Sequence, residues 1–261
     1  FLYALPNFQN PTGRRLPLER RQELVQRAKD LGVLLVEDDP YGELSYSGSQ
    51  LPTLLSMNPD GVIYMGSFSK ILAPGMRLGF VIAPPDLHFK LCQAKQASDL
   101  HTPTFTQRIA YETVKDGLLE RHIPTIRELY GKQCAYMLDA LKRHMPEGVT
   151  WNAPEGGMFI WVELPEGLNS MTILEEAVRR NVAYVPGAPF YATNPRMNTL
   201  RLQLRRPCGR RDRSRSLSKI YGGYFSFRMQ STYRVGRPLR AVWSASSINT
   251  SAKNKSPHGS S

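Results

Sequence analysis

Apolar and polar positions alternate along this chain in blocks that name its elements. Residues 1–6 (FLYALP) predict a short buried strand that runs into a turn over residues 7–13. Pro17 then opens a helix, because its fixed φ suits a first helical turn and its missing N–H costs nothing there. Leu24, Val25, Ala28 and Leu31 recur at helical spacing, and Gly32 is the stop. Residues 33–36 (VLLV) follow as an uninterrupted apolar run ended by turn-forming acids, the pattern of a strand covered on both faces. Residues 62–65 and 78–83 predict two more such strands. Fully apolar strands separated by helices imply an α/β fold with a mostly parallel sheet sandwiched by helices.

Downstream the period lengthens. Residues 85–117 read as helical, broken near Thr102-Pro103, and a longer helix is predicted over residues 123–144. Strands flanking Gly156-Gly157 within residues 151–163, a helix near residues 172–180, and short strands at 182–185 and 199–202 predict a smaller α+β unit. This divides the chain into a partial large domain (1–122), a small C-terminal domain (123–204) and a tail (205–261).

The tail changes how the charge is read. The formal net charge is +12, but residues 205–261 hold 13 Lys and Arg against one acid, Asp212, which leaves 21 basic and 21 acidic residues in 1–204. The folded part is therefore neutral overall, and no nucleic-acid partner is expected for it. The tail is rich in Arg and Ser without apolar period, and is expected to be disordered. A shift of reading frame near codon 203 is the favoured account of it; a basic RNA-binding arm is the rival. No apolar run approaches the roughly 20 residues of a membrane helix. Cys92, Cys134 and Cys208 show no C-x-x-C spacing, and the five histidines no metal-ligand spacing. A reducing, cytoplasmic compartment and no structural metal are expected. The N-terminus has neither an initiating Met nor signal-peptide character, and reads as the middle of a larger protein.

Candidate chemistry gathers at the ends of the predicted strands, where open parallel sheets bind ligands. Ser67-Phe68-Ser69-Lys70 follows the strand at 62–65. A partly desolvated lysine there has a lowered pKa and a free amine, which forms a Schiff base with an aldehyde cofactor. The two hydroxyls and Arg77 suit a phosphate. Alone, this motif is more readily a solvated lysine in a polar loop. Glu37-Asp38-Asp39-Pro40-Tyr41 ends the preceding strand. A carboxylate beside a pyridine nitrogen keeps it protonated and makes the ring an electron sink. Tyr41 and Asn10 have donors for a ring oxygen, although Asn10-Pro11-Thr12-Gly13 is by itself a turn sequence.

Taken in order, Asn10-Pro11-Thr12-Gly13, Asp38-x-x-Tyr41, Ser67-x-Ser69-Lys70 and Arg77-x-Gly79 resemble the fold-type-I, class I/II aminotransferases. Gly156-Gly157-Met158-Phe159, Pro186-Gly187-x-x-Phe190 and Asn198-Thr199-Leu200-Arg201-Leu202 extend the resemblance to about residue 204. It implies pyridoxal 5'-phosphate as cofactor. Lys70 would be the catalytic lysine, Asp38 the partner of the ring nitrogen, and Tyr41 and Asn10 donors to the phenolic oxygen. Ser67, Ser69 and Arg77 would hold the phosphate, and Arg201 the substrate carboxylate. The branch it is most similar to handles 2-aminoadipate, aromatic or branched amino acids, with 2-oxoglutarate as common acceptor. That branch also supplies the ligand-sensing half of MocR-type transcription regulators, which is the alternative function; a lyase on the same scaffold is another. The resemblance further implies a homodimer for a full-length form. The family's earlier part, with its glycine-rich phosphate loop and its ring-stacking aromatic, has no counterpart in residues 1–261. These residues alone are expected to bind the cofactor weakly and to be inactive.

Overall fold

The computed structural model describes residues 1–204 and, as backbone alone, two three-residue strands, Ser214–Ser216 and Arg228–Gln230, paired antiparallel. Apart from these two strands, the tail expected to be disordered lies outside the described residues.

Helix α1 (Leu18–Asp30) follows Pro17 and presents Arg21, Val25 and Ala28 as its buried face. Gly32 ends it at φ +62°. The Gly32 N–H donates to Lys29 O and the Val33 N–H to Ala28 O, a Schellman cap. That cap corrects the expected position of the next strand. Val33 belongs to the helix terminus, so β2 runs over Leu35–Asp38 and carries two of the supposed turn acids. Glu37 is wholly buried within it, and its carboxylate accepts from the Leu54 and Leu55 N–H groups (3.1 and 3.0 Å) at the start of the short helix α2 (Leu54–Met57).

The first sheet has the order β1 (Leu2–Ala4), β2, β3 (Val62–Ser67), β4 (Gly79–Ile82). β1, β2 and β3 are parallel, with Tyr3 beside Val36 and Asp38 beside Met65. β4 is antiparallel to β3, so the sheet is mostly but not wholly parallel. Leu35 and Val62 pack with Val25, Ala28 and Leu54, which places α1 and α2 on one face. α3 (Pro85–Asp99), which follows β4, has no buried residue. The edge strands also differ from expectation. β1 is exposed at Leu2 and Tyr3, and β4 along its whole length, because no strand lies beyond them among the described residues.

After α4 (Thr104–Val114), the long helix α5 spans Leu118–His144. It begins five residues earlier than expected and takes Pro124 into its second turn, so a division at 122/123 falls inside it. The second sheet is antiparallel, in the order β5 (Thr150–Trp151), β6 (Phe159–Glu163), β8 (Thr199–Gln203), β7 (Val185–Pro186). With α5 and α6 (Ser170–Arg179) it encloses a core of Leu141, Ile160, Val162, Ala177 and Leu200. A separate cluster of Phe8, Tyr41, Leu44, Ile126, Met158 and Phe159 fills the seam between the loops of the first sheet and the second sheet.

Candidate active site

Two loops from the first sheet meet the second sheet, and Asn10, Tyr41 and Arg201 lie along that meeting line. The turn around Asn10 is held from below. Asn152 Nδ2 donates to Thr12 O (2.7 Å), while Asn152 Oδ1 accepts from the Trp161 N–H (2.6 Å). Gly13 sits at φ +67° with the Phe159 carbonyl oxygen where a Cβ would be, so only glycine allows this approach. The peptide bond between Asn10 and Pro11 is cis.

Arg201 projects from β8, opposite Trp161 of β6. Its guanidinium lies over the rings of Phe159 (4.5 Å) and Phe190 (5.4 Å). Its Nη1 donates to Asn10 Oδ1, a bond across 191 positions of sequence. Its Nε is buried without a hydrogen-bond partner. Burial pulls the Arg201 pKa below the usual arginine range. A guanidinium has five donors in a planar fork, and a buried one left partly unpaired costs free energy. A carboxylate, with two acceptor oxygens, would complement it.

Tyr41 stands edge-on to Phe159, with ring centroids 5.5 Å apart. Burial raises its phenol pKa; the Arg201 charge opposes that rise and the Asp38 charge adds to it, so the three groups share one electrostatic neighbourhood. Asp38 closes β2 on the face opposite α1 and α2, since Leu35 and Glu37 alternate toward the helices. The pairing of Asp38 with Met65 brings it within two residues of Ser67 along the adjacent strand. Ser67 Oγ accepts from the Ser69 N–H (3.1 Å), and this begins the turn that carries Lys70.

Asn10, Tyr41, Asp38 and Arg201 are thus brought together. Ser67, Ser69 and Lys70 lie half-buried at the neighbouring strand end, where the Ser69 N–H donates to Ser67 Oγ. Arg77 is exposed, in left-handed conformation (φ +54°), and its Nη1 reaches Pro74 O of its own turn (3.4 Å).

Sequence reasoning missed a buried polar chain behind these residues. Arg21 is 0 % exposed and donates to the carbonyls of Leu16, Pro52 and Pro6 and to Asn7 Oδ1. Asn7 Nδ2 donates to Asp39 Oδ1 (3.0 Å), and the Tyr64 hydroxyl to Asp39 Oδ2 (3.1 Å). The signal was present: Arg21 falls on the apolar stripe of α1, one turn before Val25. The aromatic walls of Arg201 were missed too, because Phe159 and Phe190 stand in the sequence only as parts of motifs. Among the described residues no group of His, Cys, Asp and Glu could hold a metal ion, and no helix is long and apolar enough to cross a membrane.

A family model described as aminotransferase class I and II matches residues 3–209. A 2-aminoadipate transaminase of Thermus thermophilus is 46 % identical over 206 residues, which cover 77 % of this chain and 52 % of that protein. Aromatic-amino-acid aminotransferase 1 of Thermococcus litoralis is 48 % identical over 202 residues, 77 % of this chain and 48 % of that protein. Among solved structures, the α-aminoadipate aminotransferase LysN from Thermus thermophilus, complexed with N-(5'-phosphopyridoxyl)-L-leucine, superimposes with a TM-score of 0.76 at 44 % identity. That match covers 78 % of this chain and 53 % of LysN. The chain spans about half the length of the curated relatives it matches.

Proposed function

The chain belongs to the class I and II aminotransferase family, and from that premise we propose that the polypeptide carrying it moves an amino group from an α-amino acid to a 2-oxo acid. The donor would be 2-aminoadipate or an aromatic or branched amino acid, and the acceptor 2-oxoglutarate. The observation that carries this reading is the Asn10–Arg201 hydrogen bond. It joins two motifs 191 positions apart beside Tyr41 and Asp38, while Arg201 Nε stays buried and unpaired.

The residues fit pyridoxal phosphate. Asp38 would hold the ring nitrogen. Tyr41 and Asn10 would donate to the phenolic oxygen; Asn10 spends its Oδ1 on Arg201, so its Nδ2 is the atom left to donate. Ser67, Ser69 and Arg77 would hold the phosphate, and Lys70 the aldehyde carbon. When bound, the cofactor supplies an electron-withdrawing ring that stores the electron pair released at the substrate Cα. The rest falls to the chain. Arg201 binds the substrate carboxylate and fixes the direction of the Cα–H bond. Lys70 Nζ would carry the proton from the substrate Cα to the cofactor's C4′. The Phe159 and Phe190 rings cover part of the guanidinium, and its partial burial strengthens its hold on an anion. Residues 1–122 as part of the cofactor-binding domain, residues 123–204 as the smaller domain, a homodimer of the full-length form and a cytoplasmic location belong to the same proposal.

Borohydride reduction in the presence of pyridoxal phosphate, followed by peptide mapping, tests the assignment. The pyridoxyl group is expected on Lys70. A label on Lys90 or Lys95, or no label, overturns it. A panel of amino donors with 2-oxoglutarate, followed by glutamate formation, then tests the reaction.

A further inference from the structure

Two adjacent carboxylates end β2, and they are held differently. Asp39 has both oxygens occupied, Oδ1 by Asn7 and Oδ2 by Tyr64, and its backbone N–H continues the ladder to Met65 O (2.9 Å). It is a saturated structural group. Asp38 takes one hydrogen bond among the described residues, from the Tyr3 hydroxyl to Oδ2, and its Oδ1 is left over. Tyr3 comes from β1, where the parallel register sets it beside Val36, two residues before Asp38 on the same face. The ring is half exposed, yet its hydroxyl ends on the carboxylate. The Tyr3 hydroxyl thus goes to an acid that is half satisfied among the described residues.

We propose that Tyr3 is a positioning residue for Asp38: its hydroxyl anchors Oδ2 and thereby turns Oδ1 toward the bound ring nitrogen. The proposal rests on the cofactor reading above and adds a residue to it. It also explains why Asp38 rather than Asp39 is the ring partner, since Asp39 has no free oxygen to offer. Burial first, and then the hydrogen bond to Asp38, push the Tyr3 phenol up to about 12, so it remains a donor at any pH where an aminotransferase is assayed. Among the described residues Tyr41, from the loop after β2, also faces Asp38.

The test is Tyr3→Phe in the full natural polypeptide that carries this sequence, loaded with pyridoxal phosphate. One readout is the cofactor dissociation constant by absorbance titration. The other is the pH at which the visible band of the bound cofactor changes. The variant keeps the ring and loses one hydrogen bond to a charged group, so about tenfold weaker cofactor binding is expected. The spectral midpoint should move while the melting temperature stays in place. In an Asp38→Asn background, Tyr3→Phe should add nothing to either readout. An unmoved midpoint and affinity overturn the proposal. So does a loss of equal size in both backgrounds, which would mark Tyr3 as merely structural. The site reading is separable: a wild type unlabelled at Lys70 sinks that reading and this proposal with it, whereas a labelled Lys70 with an unmoved Tyr3→Phe profile sinks the proposal alone.

Discussion

The two sheets of this molecule are packed to different degrees, and the proposed chemistry is shared between them. The second sheet closes on itself. Ile160 and Val162 are 0 % exposed, and the cluster around them reaches α5, α6 and β8. The first sheet has the smaller core among the described residues. Its core is five residues from α1, α2, β2 and β3, while Phe80, Val81 and Ile82 of β4 are 42–50 % exposed. Lys70, Asp38 and the two serines belong to the thinly packed sheet, and Arg201 to the densely packed one. Stability and cofactor chemistry should therefore respond to different substitutions.

Lys70→Ala is the sharpest way to break that comparison. It should lower amino transfer by about three orders of magnitude or more and remove the borohydride label. Lys70 is half-buried in a turn, so the urea midpoint should hardly move. Unfolding by Lys70→Ala would mean that chemistry and stability are not divided as described.

The next effect is structural. Ile160→Ala removes a wholly buried side chain from the second sheet and should cost about 3–4 kcal/mol. Phe80→Ala removes a larger side chain from an exposed strand of the first sheet, and should cost under about 1 kcal/mol. Urea denaturation of both variants checks the pair. Equal losses would show that β4 is covered in solution by something outside residues 1–204.

How much of this was legible in the sequence follows the same division. Apolar periodicity located α1, α3, α4, α6 and the strands at Val62 and Thr199 to within a few residues, because those elements end at Pro, Gly or a cap. It misplaced β2, because a Schellman cap consumes Val33 and because Glu37 is a strand residue buried against helix N–H groups. A pattern of apolar letters assigns such an acid to a turn. It also overstated the burial of β1 and β4. Composition cannot tell an edge strand from a central one, since that depends on which neighbours exist. The candidate site was legible as spaced motifs, and the Asn10–Arg201 contact joins two of them. The residues that support the site were not. Tyr3, Asn7, Asn152 and Tyr64 act through contacts 14 to 140 positions away, and none carries a local signature strong enough to single it out, whereas Arg21 is marked by its place on the apolar stripe of α1.

A further variant probes the seam itself. Tyr46, half-buried, donates its hydroxyl to Gly157 O (3.1 Å) and so ties the loop after β2 to the turn before β6. Burial raises its phenol pKa, with Cys134 and Tyr130 adding to the rise. A raised folded-state pKa gives a definite sign. The contribution is fully present below the unfolded value of about 10, and is lost as pH rises above it, because the unfolded chain ionises first. Tyr46→Phe should cost about 1 kcal/mol near pH 8, where the wild type keeps the hydrogen bond. Above about pH 10 the wild type should lose stability faster than the variant, so the two curves converge. Tyr64 and Tyr3 are shifted in the same direction and remain in the variant, so its own alkaline loss should be reduced rather than abolished. Urea midpoints at about pH 8, 10 and 11 measure this. Parallel curves would mean that water reaches Tyr46, and that the seam between the two sheets is open rather than packed.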